Sequence, residues 1–241
     1  MRILLIIPAY NEEESILDTI NMIESFKKTD DTHDFQLDYV VINDGSTDRT
    51  GDVLKENKVN AVHLISNLGI GGAVQTGYLY AVKYDYDIAV QFDGDGQHDI
   101  ASIYALVEPI VSEKADFVVG SRFVENAISE FQTSNMRQLG IKIISFFIKL
   151  VTGKRIYDVT SGYRAANRTV MRYFSERYPQ KYPEPESLVK LHKKNYVIKE
   201  VPVNMFEREK GVSSITPLKS VRYMIEVCSA ILILGFTKEV K

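Results

Sequence analysis

Two carboxylates separated by one glycine follow an apolar segment near the middle of this 241-residue chain. The segment Ile88-Ala89-Val90 runs into Gln91-Phe92-Asp93-Gly94-Asp95-Gly96-Gln97-His98. At the end of a strand, this spacing places two acidic side chains beside a flexible backbone, facing one space. Carboxylate and amide oxygens suit hard divalent ions such as Mg²⁺ or Mn²⁺, which commonly bridge a protein to the phosphates of a substrate. A solvated turn is the alternative, because Asp and Gly are common turn residues.

Three other predicted strands also end in polar or small residues. Ile3–Ile7 is followed by Pro8-Ala9-Tyr10-Asn11-Glu12, and Tyr39–Ile42 is followed by Asn43-Asp44-Gly45. Phe117–Val119 ends in Gly120-Ser121-Arg122, and Arg122 is a natural partner for phosphate. The alternation of strands and helices predicts an α/β fold with a doubly wound, mostly parallel sheet flanked by helices. In such a sheet, ligands bind at the carboxyl ends of the strands.

A glycine-rich segment, Asn67–Ala73, precedes a predicted helix and offers a second candidate for phosphate binding. It matches neither the dinucleotide-binding pattern nor the P-loop, because Val74 and Tyr78 stand where those patterns need glycine or alanine and lysine. Gly72 is therefore a candidate either for phosphate contact or for close backbone packing.

Composition and charge limit the classes of function. The chain is 45% hydrophobic with a single cysteine, which excludes an internal disulfide and fits a reducing compartment. Residues 1–133 carry 9 Lys and Arg against 23 Asp and Glu, whereas residues 134–172 carry 8 against 1. This asymmetry favours a partner with phosphates, such as a nucleotide or an anionic lipid surface. Nucleic acid is disfavoured, because the basic residues alternate with Ile, Phe and Leu.

The strand-end motifs resemble those of the inverting family-2 glycosyltransferases of GT-A fold. Ile6–Glu12, Val41–Asp48 and Asp93-Gly94-Asp95 occur in the order and spacing of that family, across nearly the whole chain. The resemblance implies that Asp93 and Asp95 hold a divalent ion, Mg²⁺ or Mn²⁺, on the diphosphate of a nucleotide-sugar donor. It also implies nucleotide-sugar contacts from the first two strand ends and nearby loops: Pro8, Ala9, Tyr10, Glu12, Asp44, Gly72 and Ser213.

Later segments are similar to the dolichyl- and polyprenyl-phosphate sugar synthases. These are Gly120–Arg122, Asp158–Arg164, Glu200–Val203, Glu207-Arg208 and Gly211–Ser214. The similarity implies that Gln97 completes the metal shell and that Arg122 and Arg208 meet phosphates. It predicts an inverting transfer from an NDP-sugar, with a UDP-sugar favoured, to polyprenyl phosphate in cell-envelope polysaccharide synthesis.

The acceptor decides whether a general base is needed. A lipid phosphate is already an anion, whereas the hydroxyl of a lipid-linked glycan needs a carboxylate within hydrogen-bond reach. Glu186 is the first candidate for that base and Glu184 the second, although Glu186 could instead cap the following helix. A nucleotide-sugar-binding subunit without catalysis is a further alternative. The predicted catalytic residues are Asp95, Glu186, Arg122 and Arg208.

Two apolar helices are candidates for contact with a membrane. Met136–Val151 is basic and amphipathic, and Leu218–Phe236 is more apolar but interrupted by charges. Packing onto the core is the alternative for both. We predict a catalytic domain over residues 1–215 and a docking helix over 216–241, which binds the bilayer surface, a membrane protein or a second copy. The first apolar run is too short for a signal peptide. We therefore expect the protein to be located in the cytoplasm, peripherally bound at the inner face of the cell membrane.

Overall fold

The computed structural model of the protein describes residues 1–29, 35–124, 135–206 and 217–237. The strands in these ranges are β1 (Arg2–Ala9), β2 (Gln36–Asn43), β3 (Ala61–His63), β4 (Ile88–Gln91), β5 (Phe117–Ser121), β6 (Arg164–Asn167) and β7 (Ile198–Pro202). The helices are α1 (Ile16–Thr29), α2 (Thr50–Glu56), α3 (Gly69–Lys83), α4 (Ile103–Val111), α5 (Asn135–Thr152), α6 (Arg168–Arg177), α7 (Pro183–Lys193) and α8 (Pro217–Phe236).

The strands form one mostly parallel sheet in the order β3-β2-β1-β4-β6-β5-β7. Only β6 runs antiparallel to its neighbours β4 and β5 among the described pairs. The chain moves outward from β1 through β2 and β3 and then returns to the other side of β1 as β4. This reversal creates a crevice at the carboxyl ends of β1 and β4, which is where open α/β sheets bind ligands. The predicted fold class is confirmed.

Apolar residues on both faces of the sheet explain why the central strands are continuous hydrophobic runs. Residues 3–7 of β1 are fully buried. Leu4 and Ile6 join the cluster under α3, α5 and α6, whereas Ile3, Leu5 and Ile7 join the cluster under α1 and α4. The alternation of side chains along β1 therefore fixes both layers of helices onto one sheet.

Helices α5 and α8 pack side by side in the same chain direction. A Cβ added at Gly140 would lie 3.2 Å from Met224 Sδ, and one at Gly235 would lie 2.6 Å from Val151 Cβ. Val227 and Ile231 of α8 are fully buried in the cluster that α5 and α7 also enter. The predicted boundary at residue 215 falls outside the described residues, and the docking role of α8 stays a prediction. No helix in the described ranges combines the length and apolarity needed to cross a membrane.

Candidate active site

The carboxyl ends of β1, β2 and β4 meet at one cleft. Ile6 pairs with Gln91, the last residue of β4, while β1 continues to Ala9 beside Asn43 at the end of β2. The backbone N–H of Asp44 donates to the Ala9 carbonyl at 2.9 Å, which joins the end of β2 to the end of β1. The result is a cavity of about 410 Å³, which we call the strand-end cleft.

Most of the predicted donor-site residues line this cleft, together with residues of the glycine-rich segment, of β4 and the loop after it, of the 158–164 loop and of the first turn of α7. The predicted residues are Pro8, Ala9, Tyr10, Glu12, Asp44, Asp93 and Asp95. The others are Asn67, Gly69, Ile70, Ala73, Gln91, Gly94, Thr160, Gly162 and Glu184. The carboxylates from the second and fourth strands therefore share one space, although the predicted roles of these residues remain untested.

A buried histidine shapes the loop that carries the two aspartates. The Asp93 N–H donates to His98 Nδ1 at 3.1 Å, and the Gln97 N–H donates to Asp95 Oδ1 at 3.1 Å. The His98 ring stacks on Tyr163 with 4.6 Å between ring centroids. Burial lowers the pKa of His98 to about 4, so the ring is neutral at pH 7. Because Nδ1 accepts a hydrogen bond, Nε2 carries the ring hydrogen and lies 3.5 Å from Asp93 Oδ2.

The two aspartates fit a divalent ion that is shared with a substrate. Burial raises the pKa of Asp93, with the Gln91 amide and the more distant Arg164 charge opposing this effect. A cation would stabilise the ionised carboxylate. No cluster of three or more His, Cys, Asp or Glu suited to a metal occurs among the described residues. Mg²⁺ typically uses one or two carboxylates and completes its shell with waters and substrate phosphates, which matches this set.

Asp44 has a structural role in the same cleft. Its side chain is almost fully buried, and Oδ1 accepts the Leu68 N–H at 2.7 Å. Burial raises the pKa of Asp44, and the backbone hydrogen bonds from Leu68 and Gly69 oppose this. Asp44 thereby holds the glycine-rich segment against the end of β2. Gly69, Ile70 and Ala73 of this segment reach the cleft, but Gly72 is not among the lining residues. A Cβ at Gly72 would collide with the Leu68 side chain, which favours packing at this position.

Arg122 is engaged in a buried ion pair outside the cleft lining. Nε and Nη2 donate to the two carboxylate oxygens of Asp158 at 2.8 Å each. Nη2 also donates to Thr160 Oγ1 at 3.1 Å, and Thr160 lines the cleft. In this arrangement Arg122 supports the loop that approaches Asp93. Gln97 likewise points elsewhere, because its Nε2 donates to the Phe206 carbonyl at 3.4 Å. Their predicted contacts with phosphate and metal stay predictions.

The cleft contains Glu184 rather than Glu186. Both lie in the first turn of α7, but only Glu184 is among the lining residues. Arg164 is fully buried and fixes this turn by donating to the Glu184 carbonyl and to Ser187 Oγ, both at 2.8 Å. Burial raises the pKa of Glu184, and the Arg164 charge opposes the shift. Of the two candidate bases, Glu184 is the one that lines the cleft, and the role of either as a base stays a prediction. Arg208 and Ser213 lie outside the described residues.

Gly162 lines the cleft, but sequence analysis did not identify it as a site residue. A Cβ at this position would lie 2.7 Å from Asp93 Oδ2 and 3.1 Å from Gln91 Nε2. Its backbone therefore packs directly against the carboxylate, where any larger residue would intrude. The glycine in Ser161-Gly162-Tyr163-Arg164 was the available signal, because a residue without a Cβ lets another group approach the backbone closely.

Comparisons with known proteins agree with this geometry. The model of the family described as Glycosyl transferase family 2 matches residues 4–174. The chain is 34% identical over 230 residues to the UDP-N-acetylglucosamine–dolichyl-phosphate N-acetylglucosaminyltransferase of Methanococcus voltae, covering 86% of each chain. It is 30% identical over 228 residues to the undecaprenyl-phosphate mannosyltransferase of Micrococcus luteus, covering 90% of this chain and 88% of the other.

The fold is also found in solved structures. Glucosyl-3-phosphoglycerate synthase from Mycobacterium tuberculosis, in complex with Mn²⁺, uridine diphosphate and phosphoglyceric acid, superposes with a TM-score of 0.71. The match covers 99% of this chain and 80% of that one at 17% sequence identity, so it supports the fold alone.

Proposed function

Because the chain belongs to glycosyl transferase family 2 and is a glycosyltransferase, we propose that it transfers a sugar from a nucleoside-diphosphate sugar to polyprenyl phosphate. The observation that carries the proposal is the convergence of Asp44, Asp93 and Asp95 on the strand-end cleft. The relatives from Methanococcus voltae and Micrococcus luteus are named for transfer to dolichyl phosphate and undecaprenyl phosphate. The name of the first relative supports a UDP-sugar as the favoured donor.

The side chains of the cleft suggest how the donor is held. Asp93 and Asp95 would hold Mg²⁺ or Mn²⁺, which neutralises the leaving diphosphate when it is bound. Tyr10 is 46% exposed at the rim and offers an aromatic surface to the nucleotide. Asp44 keeps the glycine-rich segment next to β2, so the backbone at Gly69 is positioned beside the same space. These residues bind and orient the donor before the acceptor attacks.

The acceptor side of the proposal rests on the surface of α5 and α8. Apolar side chains that are more than one-third exposed occur along both helices: Met136, Leu139, Ile143, Phe146, Leu150, Tyr223, Ile225, Ile233 and Phe236. Those of α5 recur at intervals of three and four residues and form one stripe. Such a stripe lies favourably in the headgroup region of a bilayer, where the polyprenyl phosphate is found. A role at the inner face of the cell membrane, in cell-envelope polysaccharide synthesis, follows from this proposal.

Donor binding is tested first by thermal unfolding with UDP-N-acetylglucosamine, UDP-glucose and GDP-mannose, each with and without Mn²⁺. A ligand present at 100 times its Kd stabilises the native state by about 2.7 kcal/mol. For a chain of this size we expect one donor with Mn²⁺ to raise the Tm by about 5–10 °C. Transfer to undecaprenyl phosphate is then measured with that donor. Absence of a shift with every donor would contradict the proposal, and a shift without transfer would favour the non-catalytic binding subunit.

Glu184 favours a second candidate function, transfer to the hydroxyl of a lipid-linked glycan. A carboxylate that lines the cleft and has a raised pKa suits a general base. With polyprenyl phosphate as acceptor, Glu184→Gln should retain turnover within about threefold, because no proton has to be removed. Loss of a general base would instead lower turnover by about 10²–10⁴-fold.

Glu186→Gln is the matched control for this test, since it removes a carboxylate from the same helical turn outside the cleft lining. The measurement is kcat for both variants, with the Kd of the donor determined in parallel. If kcat collapsed in Glu184→Gln alone while donor affinity was retained, the acceptor would be a glycan hydroxyl rather than polyprenyl phosphate.

A further inference from the structure

A second cavity lies on α5, apart from the strand-end cleft. It has a volume of about 380 Å³, and none of the described residues lines both it and the cleft. We call it the α5 pocket, and it is lined by Phe123, Gln138, Ile141, Lys142, Ser145, Phe146, Lys149, Arg155 and Tyr157. Its floor is fixed, because Ile141 is buried and the buried Ser145 hydroxyl donates to the Ile156 carbonyl. The α5 pocket is therefore a cavity with a well-packed floor and three cationic side chains at its edge.

Among the described residues, the charged side chains that line the α5 pocket are all basic. Lys142, Lys149 and Arg155 contribute three positive charges, and no Asp or Glu of the described ranges lines the pocket. The described part of the chain shows no ion pair from any of these three cations. The Arg155 guanidinium lies 4.7 Å from the centre of the Tyr157 ring, which orders it at the rim. Such a set attracts an anion with several oxygen acceptors, as a phosphate has.

The apolar stripe of α5 runs beside the cations. Lys142 and Lys149 precede Ile143 and Leu150 of the stripe by one residue each, and Phe146 belongs to both the stripe and the pocket. A ligand in the pocket would thus place its anionic end against the cations and an apolar end along the stripe. Free phosphate would use only half of this surface.

We propose that the α5 pocket binds the phosphate headgroup of an anionic membrane lipid, whose acyl chains lie along the exposed stripe of α5. This inference rests on the proposed function, because it assigns the lipid contact by which the enzyme meets its acceptor. It adds a lipid site that is separate from the donor cleft. The two are joined by one short loop, since Tyr157 lines the α5 pocket and Thr160 lines the cleft. Binding of the lipid therefore orients the cleft relative to the bilayer.

The experiment uses the full chain and measures its binding to vesicles of phosphatidylcholine with and without one-quarter phosphatidylglycerol, by co-sedimentation. The variant Lys142→Gln/Lys149→Gln/Arg155→Gln is compared with Lys55→Gln/Lys83→Gln/Lys114→Gln, which removes three exposed positive charges outside the α5 pocket. We expect the wild type and the control to bind the anionic vesicles at least 10-fold more tightly than the neutral ones. The pocket variant should lose at least 10-fold of this affinity.

Soluble probes separate a site from diffuse attraction. Dihexanoyl-phosphatidylglycerol, dihexanoyl-phosphatidylcholine and inorganic phosphate are titrated by calorimetry into the wild type and the pocket variant. Binding of the phosphatidylglycerol to the wild type alone supports the proposal. Equal binding of inorganic phosphate, or an equal loss of vesicle binding in the control variant, would overturn it. Stabilisation by the nucleotide sugar and Mn²⁺ is measured on every variant, so that failure at the α5 pocket is distinguished from failure of donor binding.

Discussion

Replacing Asp93 with asparagine is expected to lower sugar transfer by at least about 100-fold without lowering the stability of the unliganded protein. The Asp93 side chain is 36% exposed to the cleft, and its partial desolvation raises the pKa, so the ionised carboxylate is disfavoured in the unliganded protein. Asparagine has nearly the same shape and carries no charge, so the free energy of unfolding should be unchanged or increased. Because asparagine is neutral, the substitution also removes a negatively charged oxygen ligand from the proposed metal site.

Thermal unfolding with and without Mn²⁺ and the donor, together with the transfer rate, checks this expectation. Asp52→Asn serves as the control because it makes the same change on the exposed side of α2. The control should keep both the Mn²⁺-dependent Tm shift and the activity. If Asp93→Asn kept the shift and the activity, Asp93 would not be a metal ligand.

The raised pKa of Asp93 also predicts how stabilisation by Mn²⁺ changes with pH. In the unliganded protein, the native state retains its proton to higher pH than the unfolded chain, so this group makes stability fall as pH rises above the ordinary aspartate range. Asp44 and Glu184 are raised in the same direction by burial. Metal binding needs the ionised form, so the Mn²⁺-dependent Tm shift should be larger at pH 8 than at pH 5.

The positions of the strand ends were predictable because each central strand is a short apolar run that stops at polar or small residues. In β1 and β4 this change of composition falls within two residues of the end of the strand, and the parallel register then brings Pro8 and Asp93 to the same level. Only local patterns and one topological rule are needed for this step. The start of α1 does not follow from such local patterns, although asparagine is a common N-cap residue. Asn11 does not cap the helix, which begins at Ile16, but adopts a left-handed conformation and accepts the Thr47 N–H.

The orientation of individual side chains could not be read from the sequence, since it depends on partners far along the chain. Arg122 resembles a phosphate ligand by its position, but its bidentate partner is Asp158, 36 residues away. Glu184 and Glu186 are two residues apart on one helix, so they point in very different directions. Which of them faces the cleft is set by the rotation of α7, and the buried Arg164 fixes that rotation through the Glu184 carbonyl.

Gly162→Ala is expected to abolish the Mn²⁺-dependent stabilisation and to lower transfer by about 100-fold or more, although it adds only one methyl group. The new Cβ would lie 2.7 Å from Asp93 Oδ2 and 3.1 Å from Oδ1, so the carboxylate or the 158–164 loop must move. The Asp93 backbone is also held by its N–H bond to His98 Nδ1, which limits how far the residue can retreat. A misplacement of about 1 Å at a reacting centre is enough to cost about 10²-fold in rate.

Gly140→Ala is the matched control, because its new Cβ would meet the flexible end of Met224 at 3.2 Å, on α5 rather than at the cleft. Both variants are compared by far-UV circular dichroism, by thermal unfolding with UDP-sugar and Mn²⁺, and by transfer assay. The control should retain the ligand-dependent Tm shift, whereas Gly162→Ala should fold and lose it. Full activity in Gly162→Ala would mean that the Asp93 carboxylate need not stay where the structure places it, and the metal assignment would then have to be abandoned.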